Sequence, residues 1–246
     1  MRFMSMHKST ASMEAGDPPS PEIMAGIGPL IEEMMNAGAF VSGEGLRPTA
    51  YGVRLHFSGG QRTITQGPFA GSNELIDRYL IVRVHSIEEA IEWATRFADG
   101  VGDSEIDVRP VVEPWDIGMM EKPPGQTTTR YMILHKANAR SEGGERPTRA
   151  SLDAFQALTN EMTAADVLLS TEALQPSSKS VRLHYKGGQR TVMDGPFTES
   201  KELIAGYSIV EVPSIGDAIE WAWRFAALIG DVEMDIRPLA EPAGVS

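Results

Sequence analysis

Residues 181–197, VRLHYKGGQRTVMDGPF, repeat residues 53–69, VRLHFSGGQRTITQGPF, at a separation of 128 residues at every matched position. The same offset carries RFMSMHK at 2–8 to RYMILHK at 130–136, IEWATRFA at 91–98 to IEWAWRFA at 219–226, and EIDVRPVVEP at 105–114 to EMDIRPLAEP, which ends at Pro242. A chain that writes one set of local signals twice must build that local structure twice. The period is too long for a solenoid unit and suits two domains. We therefore divide the chain into residues 1–114, a linker at 115–129 and residues 130–246. The linker is marked by Pro123, Pro124, Gly125 and three Thr, and it is short enough to hold the halves at high effective concentration.

Each half reads as strand, helix, strand, hairpin, strand, helix, strand. Ser20 followed by Pro21 is an N-cap with Pro at the first helical position. Met24, Ile27, Ile31, Met34 and Met35 then share one helical face, and Gly38 supplies the C′ residue. Gly59-Gly60 and Gly187-Gly188 provide the positive φ angles of tight hairpin turns. Ser86 with Glu89 opens a second helix, whose buried stripe is Ile87, Ala90, Ile91, Ala94, Phe97 and Ala98. Trp93 and Trp221 flank that stripe as packing residues. Two βαβ units per half predict a ferredoxin-like sheet with two helices on one face. Tyr79, Ile81, Tyr207 and Ile209 make the other sheet face apolar, so the other half is its expected cover.

Composition narrows the function. The 246 residues carry a net charge of −12, with no basic stripe for phosphate backbones. No cysteine is present, which excludes thiolate chemistry and Cys-ligated metals. His spacing offers no metal motif, and no cofactor signature is found. No apolar run reaches the length of a membrane span. A cytoplasmic protein is expected.

Strand alternation sorts the hairpin residues. Tyr185 faces Arg190, Leu183 faces Val192, and Val181 faces Asp194, while Arg182, His184, Thr191 and Met193 take the other side. Asp194 stands where the first half has Gln66. It reads either as an Asx turn before Gly-Pro or as a carboxylate partnering a histidine. His7, His56, His135 and His184 form two matched pairs. Glu105, Asp107 and Arg109, with Glu233, Asp235 and Arg237, lie on one face of the last strands, where they read as inter-repeat ion pairs or as a polar cleft floor.

The run from Gly187 to Val212, GGQRTVMDGPFTESKELIAGYSIVEV, resembles the YCII-related family, and its Asp194-Gly195-Pro196-Phe197 is similar to the signature of the DGPF subgroup. The first half departs from that pattern, with Gln66 for Asp194, Gly71 for Glu199, Asn73 for Lys201, Asp77 for Ala205 and Arg78 for Gly206. The resemblance implies two ferredoxin-like α+β domains packed as a dimeric α+β barrel, here fused into an intramolecular pseudo-dimer. Further homodimerisation stays open. It also implies a His–Asp acid/base pair in an inter-sheet cleft, although the helix-borne His of other members has no match here.

Two functions follow. One is a cofactor-independent acid/base enzyme acting on a small polar or anionic molecule, with Asp194, His184 and His135 catalytic and Arg190, Tyr207, Arg237, His7, His56 and Arg62 binding. The other is a non-catalytic ligand-sensing or protein-interaction module, linked to transcription because some DGPF proteins are encoded beside extracytoplasmic-function sigma factors.

Overall fold

The computed structural model describes residues 1–197 and 200–241. Glu199 and Pro242, both named above, fall outside them. In chain order the elements are β1 (Arg2–Lys8), α1 (Ala11–Ala15), α2 (Pro21–Asn36), β2 (Phe40–Gly45), β3 (Val53–Ser58), β4 (Gln61–Gln66), β5 (Ile76–Val84), α3 (Ile87–Val101), β6 (Ser104–Pro110), β7 (Thr129–Lys136), α4 (Ala139–Glu142), α5 (Arg149–Ala164), β8 (Leu168–Ala173), β9 (Val181–Lys186), β10 (Gln189–Asp194), β11 (Ile204–Glu211), α6 (Ile215–Ile229) and β12 (Val232–Pro238).

The local signals hold. Ser20 caps α2 by accepting from the Ile23 amide, and Gly38 follows the helix at φ 67°. Ser214 and Asp217 form a reciprocal capping box on α6. On α3, Ser86 accepts from the Glu89 amide, but the Glu89 carboxylate reaches one residue further back, to the His85 amide. The hairpin registers are those the alternation predicts: Arg190 faces Tyr185, Val192 faces Leu183 and Asp194 faces Val181. The loop after β1 departs from expectation, because Thr10 caps the short helix α1.

Two six-stranded antiparallel sheets result, with orders β10-β9-β12-β1-β11-β2 and β4-β3-β6-β7-β5-β8. Each draws strands from both halves of the sequence, so the sheet boundary is not the repeat boundary. The second sheet is one contiguous stretch of chain. The first joins the two ends of the chain, with β1 seated between β11 and β12. The linker dictates this arrangement: the chain leaves β6, turns, and returns antiparallel beside it as β7, as consecutive strands with a short connection tend to do. Within each sheet four strands, β12-β1-β11-β2 or β6-β7-β5-β8, keep the order of a split βαβ unit. The sheets are open and do not close into a barrel; their edge strands are β10 and β2, and β4 and β8.

Three apolar cores hold these layers. Helices α2 and α6 cover the first sheet through Leu30, Met34, Ala222 and Trp223. Helices α3 and α5 cover the second through Ala94, Phe97, Leu158 and Met162. Between the sheets, Met4, Met6, Tyr207 and Ile209 meet Tyr79, Ile81, Met132 and Leu134, with the Tyr79 and Tyr207 rings 5.3 Å apart. Each such side chain contributes about 1.5–3 kcal/mol when fully buried, so the middle core binds the sheets together strongly.

Candidate functional site

Beside the middle core each sheet buries a charged cluster. In the second sheet the Arg54 guanidinium donates to Asp107 from Nε at 2.7 Å and from Nη2 at 2.8 Å, and also reaches Glu74 at 2.8 Å. Lys136 pairs with Asp107 at 2.8 Å and with Glu74. In the first sheet Arg182 donates to Asp235 at 2.6 and 3.0 Å, and Lys8 reaches Asp235 at 2.8 Å and Ser200 at 2.9 Å. The neighbouring charges hold Asp107 and Asp235 below the usual carboxylate range despite burial. These are satisfied structural pairs, not free reagents.

The Gly-Pro-Phe segments belong to these clusters. A Cβ on Gly67 or Gly195 would stand 1.7 or 1.8 Å from the carbonyl oxygen of Thr49 or Ser177, so only glycine allows that approach. Both Gly-Pro bonds are cis. The chain then places Phe69 under Arg54 at 4.4 Å and Phe197 under Arg182 at 4.3 Å, a stacked arrangement that suits a desolvated guanidinium. The tetrapeptide is thus explained by packing.

Asp194 joins no histidine. It is exposed at the end of an edge strand, and its carboxylate makes no hydrogen bond or ion pair with any described residue, so the Asx turn is not formed either. His184 faces Glu233 instead, at 3.5 Å, and His56 faces Glu105 at 4.0 Å. The His56 imidazole is exposed and that of His184 is half-buried. Arg62 reaches across to Thr95 on α3 at 2.6 Å, and Arg190 lies 5.6 Å from the Trp223 ring. Tyr207 is buried between the sheets, where desolvation and Tyr79 push its pKa up. Arg237 is fully buried; it donates to the Ile76 carbonyl of the other sheet at 2.6 Å, to the Gln175 carbonyl at 2.5 Å and to Glu142 at 2.9 Å.

One histidine does meet an aspartate. His135 Nδ1 lies 2.5 Å from Asp77 Oδ1. The backbone explains the meeting. The β5–β7 register shifts between Ile76 and Arg78, which leaves Asp77 as the bulged residue, and a bulge re-aims a side chain. His135 is buried, against the edge of the Phe97 ring at 5.3 Å, and its Nε2 has no partner among the described residues. With Nδ1 donating to Asp77, Nε2 carries a lone pair, as a general base requires.

Arg78 faces His135 directly across the strand pair, so the two side chains share a face. Its guanidinium lies 4.1 Å over the Phe155 ring and makes no hydrogen bond or ion pair with a described residue. Desolvation lowers its pKa, opposed by the nearby charges of Asp77 and Glu172. Phe97 and Phe155 also line a 240 Å³ cavity at the seam of α3 and α5, together with Ser151, Ala154 and Leu158. The strand pair thus sets an imidazole held by a carboxylate beside a guanidinium that has no acceptor among the described residues.

At the matched place in the first sheet, His7 faces Gly206, and the bulged position is Ala205. The His7 ring packs on Phe225 at 5.2 Å and fills the space, for a Cβ on Gly206 would stand 2.6 Å from its Cε1. Burial, with the charge of Lys8, holds the His7 pKa down to about 4. The described residues include no group of three or more His, Asp or Glu side chains that could hold a metal ion.

Residues 129–228 match the family model of the YCII-related domain. An uncharacterized protein of Rhizobium meliloti (strain 1021) is 29% identical over 87 residues, covering 35% of this chain and 70% of that protein. The YCII-related segment begins with β7 and ends within α6, so it spans strands of both sheets. It contains His135 but neither Asp77 nor Arg78, which come from the other half of the chain. Sequence reasoning named His135 and missed its partners, although it registered both positions as departures from the pattern. Charged residues replacing Ala-Gly at a strand start were the available signal.

Proposed function

We propose that the chain is a tandem pair of YCII-related domains of the DGPF type, arranged as an intramolecular pseudo-dimer with one working site. In this reading it is a cofactor-independent acid/base enzyme for a small polar molecule, with His135 as the base, Asp77 as the group that orients it and Arg78 as a binding cation. The observation that carries it is the 2.5 Å His135–Asp77 contact with Nε2 left unpaired in a buried setting. The matched bulges at Asp77 and Ala205, and the matched charged clusters, support descent of both halves from one domain.

The site acts by proton transfer in this scheme. Nε2 takes a proton from a carbon or hydroxyl of the substrate while Asp77 stabilises the resulting imidazolium, and the proton returns to product. A base so placed contributes roughly 10²–10⁴-fold to rate. The test is a ¹H NMR screen for deuterium exchange at carbons next to the carbonyl group of small oxo and hydroxy acids. His135→Gln and Asp77→Asn should each lose exchange by at least about 100-fold, while Asp194→Asn keeps it. Exchange that survives in His135→Gln, or is lost only in Asp194→Asn, would overturn the assignment.

A further inference from the structure

We infer that the ligand of this site is a small monocarboxylate, held by Arg78 against the Phe155 ring; the inference rests on the site proposed above and names the class of molecule it takes. Arg78 carries five N–H donors in a fork that matches a carboxylate. None of them is used by a described residue. The contrast with the other half-buried or buried arginines near the sheets is sharp. Arg54 and Arg182 are each held by an aspartate in a two-point contact, and Arg130 is held by Glu113 at 2.9 and 3.0 Å and also by Glu44. Arg109 and Arg237 donate to backbone carbonyls. A guanidinium that is partly desolvated and left without an acceptor costs stability unless something supplies one.

The surroundings choose the anion. Asp77 and Glu172 are close enough to act on Arg78 electrostatically, so a dianion such as phosphate meets two like charges while a monoanion meets the smallest repulsion. The wall on which Arg78 rests is the apolar ring of Phe155, at 4.1 Å, which suits an organic carboxylate better than a fully hydrated inorganic anion. The carboxylate on Arg78 sets the rest of the molecule beside His135, which faces Arg78 across the strand pair. The first sheet offers no second copy of this site, because Gly206 replaces Arg78 and His7 occupies the space.

The test uses the full chain and follows ¹H–¹⁵N shifts of the Arg78 side chain and the His135 ring on titration with acetate, butyrate, butyramide and inorganic phosphate. Butyrate is expected to saturate, with butyramide and phosphate at least tenfold weaker. Arg78→Met should lose butyrate binding at least tenfold, and Arg78→Lys should recover part of it. Butyramide or phosphate binding as well as butyrate, or butyrate binding unchanged in Arg78→Met, would overturn the inference. The two readings separate cleanly. Carboxylate binding that survives in His135→Gln supports the anchor whatever becomes of the base, and proton exchange that survives in Arg78→Met with an unchanged KM rejects the anchor while keeping the base.

Discussion

His135 and His7 occupy matched positions in matched strands, yet they sit in opposite electrostatic settings. Among the described residues, His135 meets a carboxylate on one nitrogen and no partner on the other, beside a guanidinium that has no acceptor. His7 meets Ala205, Gly206 and an aromatic ring, and is kept neutral with its pKa near 4. Two residues at one bulge make the difference. The comparison teaches that two strand pairs with matching register shifts can hold one polar pair and one closed packing solution. The polar pair combines His135 of the second half with Asp77 and Arg78 of the first, the half whose sequence departs from the DGPF pattern.

The strongest way to break the comparison is to transplant the site. Ala205→Asp with Gly206→Arg rebuilds the polar pair on paper. The space is absent: a Cβ at 206 meets His7 Cε1 at 2.6 Å, the Glu44 carbonyl at 2.7 Å and Gly45 Cα at 3.1 Å. Overpacking against backbone of this kind costs about 3 kcal/mol, and urea unfolding should report it. A double variant as stable as the parent would mean that the first site is open.

Acid offers the next largest effect. The folded protein keeps His7 neutral down to about pH 4, whereas the unfolded chain takes up the proton near its ordinary value of 6.5. Between those values the unfolded state binds more protons, so stability falls as pH drops from 6.5 towards 4 and rises again on return. The full window is worth at most about 3 kcal/mol. His7→Phe should flatten this part of the curve, read as the difference in urea midpoint between pH 7 and pH 4.5. An unchanged pH slope in that variant would show that His7 is solvated.

The strand order within a half, the caps, the hairpin registers and the apolar inner sheet face were legible in the sequence because each rests on local chemistry or on period-two alternation. The exchange of strands between halves was not, since both pairings satisfy the same local signals and only the path of the linker from β6 to β7 decides between them. The site was half legible. His135 stood out by repetition, but Asp77 reaches it through a bulge, and bulges break the alternation on which strand reading depends. Asp194 drew attention as the odd residue in a repeated motif, yet the motif is explained by Gly195 packing on Ser177 and Phe197 lying under Arg182.

A pair of matched substitutions sharpens the comparison further. Arg237 crosses from the first sheet to the carbonyl of Ile76, the residue before Asp77, and Arg109 crosses the other way to the carbonyl of Ile204, the residue before Ala205. Arg237→Lys and Arg109→Lys should each cost about 2 kcal/mol through lost buried hydrogen bonds. Only Arg237→Lys should also disturb the bulge that carries Asp77. Its signature is a change in the ¹H–¹⁵N shifts of the His135 ring by NMR, with those shifts unmoved in Arg109→Lys. Equal effects of both variants on His135 would mean that the dyad feels general loosening and not a specific pin.

The smallest expected effect discriminates most directly between the two halves. Asp194 and Gln66 face the same matched strand residue, Val181 or Val53. Both are exposed on edge strands whose every residue is exposed. An exposed carboxylate with no partner among the described residues contributes little, so Asp194→Gln should change stability by under about 0.5 kcal/mol and leave proton exchange at the His135 site intact. The turn beyond it is held by Gly195, whose amide donates to the Ser180 carbonyl at 2.9 Å, and by the Phe197 amide on Ser177 Oγ at 3.1 Å; neither contact uses the aspartate. Loss of exchange in Asp194→Gln would move the chemistry to the hairpin end and make the His135 dyad structural.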